Sequence, residues 1–194
     1  MSESIWFEEV NVGLIKEIKN TVKIKNADGD LVSLPDNNII IRKPEEDFKI
    51  EVFPCVSIYN TTYKHSPIRY SQQPKVVSRD VDSKSITLQD SAVPFDLSYQ
   101  IDFWSQYQTE MDCMTRTWLF KHFRQFNLAV VDEGGVETTC NSLMKGDVVK
   151  SDLLLNAKRL FHSIINLQIW VEIDSETGYN MPMVTVKNID LKEV

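Results

Sequence analysis

The 194-residue chain has little of what most often announces chemistry: three histidines, three cysteines and six glycines. The histidines, His65, His122 and His162, form no H-x-x-x-H or H-E-x-x-H arrangement, so no local pair of metal ligands is present. No G-x-G-x-x-G or G-x-x-x-x-G-K-S/T loop offers backbone N–H groups to a phosphate, and no serine stands in a G-x-S-x-G elbow. Cys55, Cys113 and Cys140 are odd in number, widely spaced and without a C-x-x-C pair. A disulfide framework is therefore not expected, and a reducing compartment is the simplest reading. No run of about 18 apolar residues is long enough to cross a membrane. The opening MSESIWFEEVNVG lacks the basic segment and apolar core of a secretory signal. These absences point away from a cofactor, a metal or a membrane.

What is present is ordinary globular material, with 42% hydrophobic and 25% charged residues. A chain of this length forms one sizeable domain that buries roughly 70% of its extended surface. Twenty-one Lys and Arg against 28 Asp and Glu leave a formal net charge of −7. That balance argues against the broad basic face that nucleic-acid binding requires.

The stretch 95–126 organises the rest. Phe95, Leu97, Tyr99, Ile101 and Phe103 alternate with Asp96, Ser98, Gln100 and Asp102, the period of a half-buried strand. After Trp104 the period changes: Tyr107, Met111, Met114 and Trp118 form one stripe of an amphipathic helix. A first helix is expected over 4–20, capped by Ser4, with Phe7, Val10, Leu14 and Ile18 inward and Gly13 costing about 1 kcal/mol of propensity. Strands are expected over 21–26 and 31–34 about an Asp28-Gly29 turn, over 39–41, and over 50–58 with Pro54 at an edge or bulge. A hairpin follows over 76–81 and 85–88. A short strand over 128–131 runs into the Asp132-Glu133-Gly134-Gly135 turn. Between 136 and 158 a turn at 144–147 and a short helical piece from Ser151 to Ala157 are expected. A second long strand covers 161–173, and a short one 183–189.

The expectation is an α+β fold of about eight strands, mostly antiparallel, with about two main helices packed on one side. It is read as one domain over 1–194: an N-terminal helix (1–20), strands (21–58), an extended arm or loop (59–74), the core sheet with its central helix (75–173), and a C-terminal extension (174–194).

At each candidate for chemistry the structural reading prevails. His122 reads as a helix-end cap or core-edge residue, His162 as surface, and Cys113 as core. The turn 132–135 lacks the alternating oxygen ligands of a calcium loop. Surface features remain. The loop at 42–48 contributes Arg42, Lys43, Glu45, Glu46 and Asp47, of both charge signs. The arm contributes Tyr59, Tyr63, Arg69 and Tyr70, residue types favoured at interfaces. Trp104 falls on the polar side of its strand. Met114, Trp118, Leu119, Phe120 and Phe123 make the helix end apolar on more than one face, to be covered by its own domain or by a neighbouring subunit.

Two stretches carry a resemblance. IIIRKPEEDFKIEVFPCVSIYN (39–60) and VPFDLSYQIDFWSQYQTEMDCMTRTWL (93–119) resemble the tail-completion proteins of tailed bacteriophages, the tail terminator and tail sheath stabiliser group. The shared pattern is Pro94-Phe95-Asp96-Leu97, then the strand ending in Phe103-Trp104, then a helix entered through Glu110-Met111-Asp112, and the likeness extends over 39–173. It implies a non-enzymatic virion subunit, made in the host cytoplasm, that forms a homo-oligomeric ring, a hexamer, at the head-proximal end of the tail. Its partners would be the tail tube, the sheath and the neck or connector proteins, with DNA passing through the lumen and no membrane or cofactor involved. Two alternatives stand beside it: another neck or baseplate-proximal adaptor, and a cytosolic enzyme with a site dispersed over residues such as Asp102, His122 and Glu172.

Overall fold

A computed structural model describes residues 5–26, 28–42, 52–68, 75–80, 85–89, 92–131, 135, 137–155, 158–173 and 178–182. The elements run α1 (Ile5–Thr21), β1 (Lys23–Lys25), β2 (Leu31–Ser33), β3 (Ile39–Arg42), β4 (Cys55–His65), β5 (Lys75–Asp80), β6 (Ser85–Gln89), β7 (Val93–Ser105), α2 (Gln108–His122), β8 (Gln125–Val131), β9 (Glu137–Leu155), β10 (Lys158–Ile173) and β11 (Gly178–Pro182). The chain is α+β, with two helices and a mostly antiparallel set of strands; β3 and β4 pair in parallel.

The chain divides into two compact units. The larger, Met1–Lys64 with Phe95–Val171, is built on a six-stranded sheet in the order β3-β4-β7-β10-β9-β8, plus the small β1–β2 hairpin. The smaller, His65–Pro94 with Glu172–Val194, holds the three-stranded sheet β11-β6-β5.

In the larger unit the alternation of β7 does what its sequence dictates. Leu97, Tyr99, Ile101 and Phe103 join Ile165, Leu167, Ile169 and Val171 of β10 and Val56 and Ile58 of β4 in one core. Val10, Leu14 and Ile18 of α1 and Met111, Met114 and Trp118 of α2 complete it. Each large side chain so buried contributes roughly 1.5–3 kcal/mol. β8 supplies Phe126, Leu128 and Val130 and turns its alternate residues outward. Gly13 has a packing reason: a Cβ there would lie 2.8 Å from the Ala129 carbonyl oxygen, so only glycine lets α1 approach β8 this closely.

Several expectations change. Of the helical piece expected over 151–157, residues 151–155 are strand and 156–157 lie outside the described residues. β9 runs through to Leu155 because its antiparallel ladder with β10, from Ile164↔Val149 to Lys158↔Leu155, overrides the local helix preference of the leucines. The 144–147 turn signal marks an irregularity inside that strand. Gly146 takes φ 72°, and the register shifts where Ile164 faces Val149 and Asn166 faces Lys145. β4 continues to His65, through the β-branched and aromatic residues Thr61, Thr62 and Tyr63, so the expected arm begins as a strand. There are eleven described strands rather than about eight, including β11, which no alternation signals. Ser4, the loop 43–51 and the strand expected at 183–189 lie outside the described residues.

Candidate functional site

Even-numbered positions of β7 lie on the opposite face from its core residues; Asp96, Ser98 and Gln100 are half-buried there, and Asp102 and Trp104 are buried. Asp102, fully enclosed, is the hub. It accepts Gln100 Nε2 at 2.8 Å, His162 Nε2 at 3.2 Å, and more distantly Ser57 Oγ and Arg42 Nη1, each at 3.5 Å. His162 Nδ1 lies 3.2 Å from Ser151 Oγ. The neutral tautomer that satisfies both sides donates from Nε2–H to the carboxylate and accepts at Nδ1 from the hydroxyl. Trp104 stacks on the imidazole with ring centroids 3.7 Å apart and planes 8° from parallel. Arg42 lies 4.9 Å over the Tyr59 ring. Arg42 on β3, Ser57 and Tyr59 on β4, Asp102 on β7, His162 on β10 and Ser151 on β9 thus lace together five neighbouring strands.

Ser151, His162 and Asp102 are connected in the order hydroxyl, imidazole, carboxylate, the connectivity of nucleophilic catalysis. Here, however, the carboxylate is shared among four donors and the imidazole is capped by the Trp104 ring. The arrangement suits satisfaction of a buried charge and the locking of strand register.

Three of the sequence-based candidates therefore converge: Arg42, Tyr59 and Trp104. Trp104 and His162 are buried rather than at the surface, because each ring covers the other. Tyr63 is exposed further along β4. Lys43, Glu45, Glu46, Asp47, Arg69 and Tyr70 lie outside the described residues. Ser57, Gln100 and Ser151 carried no signal of their own; the one available was an acid in the middle of a strand flanked on both sides by apolar residues. Asp102 meets His162, whereas His122 belongs to another cluster, and Glu172 is exposed.

That second cluster ties the helices together. His122 at the end of α2 is buried, with Nε2 3.0 Å from Glu17 Oε1 and 3.2 Å from Thr21 Oγ1 on α1. Lys121 Nζ and Thr21 Oγ1 also donate to the same oxygen, at 2.7 and 2.9 Å. Burial pushes the His122 pKa down and Lys121 adds to this; Glu17 pulls it back, but it stays below its ordinary value. For Glu17, burial pushes up, yet the bonds from Lys121 and Thr21 and the nearby charges leave it lowered. The helix-end reading of His122 agrees with this position.

The outward face of α2 is different again. Met111, Met114, Thr115, Trp118 and His122 face the core, while Phe120 is 91% exposed and Phe123 64%. The apolar excess at the helix end is thus divided, with Trp118 inside and the two phenylalanines outside. Cys113, expected in the core, is only half-buried, because it stands off the 111–114–118–122 stripe; burial still raises its thiol pKa. It lines a groove of about 920 Å³ between α2 and the β1–β2 hairpin.

No family model and no curated protein matches the chain. A solved structure does: the sheath/tube terminator, in the extended state, of an extracellular contractile injection system (PVC). The two superpose with a TM-score of 0.54 at 16% identity, over 100% of this chain and 65% of the other, just under two thirds of its length. The chain has a terminator-like fold.

Proposed function

We propose that this protein is a non-catalytic terminator subunit of a contractile, tail-like particle. In this reading copies of the chain close into a ring of about six around the end of the tail tube and sheath. The ring joins the tail to the neck proteins of a phage virion and lets DNA pass through its lumen. The observation that supports this most is the fold likeness to a sheath/tube terminator over the whole chain. The exposed Phe120 and Phe123 at the end of α2 agree with it, since large exposed apolar side chains grouped together mark contact surfaces. A closed ring needs two different patches on each subunit. One would be the charged loop of Arg42, Lys43, Glu45, Glu46 and Asp47. The other would be the aromatic segment of Tyr59, Tyr63, Arg69 and Tyr70. Trp104, enclosed by its own chain, would act only indirectly, by holding the His162 ring that shares Asp102 with Arg42.

The deciding experiment is assembly. The purified 22.4 kDa chain is mixed with polymerised tail tube from the same particle and imaged by electron microscopy, with solution mass measured in parallel. Rings, free or seated on tube ends, are expected. A chain that remains monomeric at high concentration and never decorates tube ends would overturn the proposal.

A further inference from the structure

The groove between α2 and the β1–β2 hairpin combines a short stretch of open backbone with apolar and cationic side chains. Asn26 N–H donates to the Asp30 carbonyl, and the pairing continues through Lys25↔Leu31, Ile24↔Val32 and Lys23↔Ser33. In an antiparallel ladder the bonded pairs alternate. Asn26–Asp30 and Ile24–Val32 therefore face each other, while the backbone groups of Lys23 and Lys25 point out of the hairpin. The Lys23 N–H confirms the direction, since it reaches across to Thr117 Oγ1 of α2 at 3.1 Å. Two residues on, the Lys25 N–H and C=O open toward the groove.

The lining supplies the rest. Leu31, 58% exposed, and Phe120 stand on opposite walls as apolar contacts. Lys25 and Arg116 are the cations of the groove, and among the described residues neither has an ion-pair partner; Asp112, the acid of the same lining, is already paired with Lys150 at 2.8 Å. In a chain of net charge −7 this is a locally basic, apolar slot beside the open backbone of Lys25.

We infer that this groove binds an extended segment of another protein, rich in apolar and acidic residues, that lies along α2 and meets the open backbone of Lys25 at the end of β1. Its apolar side chains pack between Leu31 and Phe120, and its carboxylates meet Lys25 and Arg116. Apolar burial against the walls provides affinity and the charge contacts provide selectivity. This does not depend on whether the chain forms a ring.

Cys113 reports on the site, because it lines the groove while Cys55 and Cys140 are buried. Its alkylation by iodoacetamide is followed with and without a peptide of about ten residues alternating valine with glutamate, and with the valine–lysine counterpart. The glutamate peptide is expected to slow alkylation saturably and the lysine peptide not to. In the Lys25→Glu, Arg116→Glu double variant the preference should invert, with the glutamate peptide weakened about tenfold or more. Within each variant the rates are compared with and without peptide, so the changed charge near the thiol cancels. Protection of the variant by the lysine peptide also shows that it is folded. The inference is overturned if neither peptide protects the wild-type chain, or if both protect it equally. It is overturned too if alkylation slows with protein concentration alone, which would make a second copy the occupant.

Discussion

Asp102 and Glu17 each meet a buried histidine, but Asp102 is wholly enclosed while Glu17 keeps 18% of its side-chain surface in solvent. Around Asp102 the imidazole has partners at both nitrogens, and the donors to the carboxylate come from β3, β4 and β10 as well as from its own strand. Around Glu17 one carboxylate oxygen collects His122, Lys121 and Thr21, and His122 Nδ1 is buried without a partner among the described residues. The first arrangement fixes how strands sit within the sheet. The second fastens α1 to α2, over a sheet that α1 already reaches by close packing at Gly13. A fully enclosed carboxylate is costly to disturb, whereas one that keeps some contact with solvent can be rearranged with water.

The sharpest way to break this contrast is Asp102→Ala. It strands His162, Gln100, Ser57 and Arg42 without their shared acceptor, and a loss of about 3–5 kcal/mol is expected in denaturant unfolding. Asp102→Asn, which keeps the shape and one acceptor oxygen, should fall between the two. If the alanine variant loses less than about 1 kcal/mol, the belt contributes no more than an exposed ion pair would.

Gly13→Ala tests the packing that the clasp supplements. The new Cβ would meet the Ala129 carbonyl at 2.8 Å, against strand backbone that cannot swing aside. Overpacking of this kind costs about 1–3 kcal/mol, set against a helix-propensity gain of about 1 kcal/mol. A net loss is expected, with hydrogen exchange quickened first in α1 and β8. A stabilised variant would mean that the helix shifts freely on the sheet.

These two positions also show what the sequence made legible. The apolar stripes of α1 and α2 and the alternation of β7 and β10 were readable because burial on one face imposes a period. Gly13 looked like a weakness, since its reason lies on β8, more than a hundred residues away. Asp102 looked like an outward residue, because period 2 identifies which side chains share a face but not whether that face is covered. β9 was missed for a related reason: Gly146 reads as a turn locally, and only pairing with β10 makes the segment a strand. The Asp102 belt was invisible because its members come from five strands. The groove was equally hidden, since its basic character depends on which of Lys25, Arg116 and Lys150 already has an acid.

The smallest effect expected is the pH response of the clasp. His122 and Glu17 both have folded-state pKa values below their ordinary ones, 6.5 and 4.5. A group lowered in the folded state binds protons more readily when unfolded, so its contribution is complete above the ordinary value and lost as pH falls below it. For His122 the loss begins below pH 6.5, and for Glu17 below 4.5. The His122 change should be modest, because burial and Glu17 act in opposite directions on the same imidazole and only the remainder is expressed. His122→Gln removes the titrating group while keeping a side chain able to donate to Glu17. Its unfolding midpoint should vary less than that of the wild type across the range just below pH 6.5. Parallel curves there would show that another group governs the wild-type response. A wild type that gains stability on acidification would mean that the Glu17 attraction outweighs burial, making the helix clasp a true ion pair and bringing it closer in kind to the Asp102 belt.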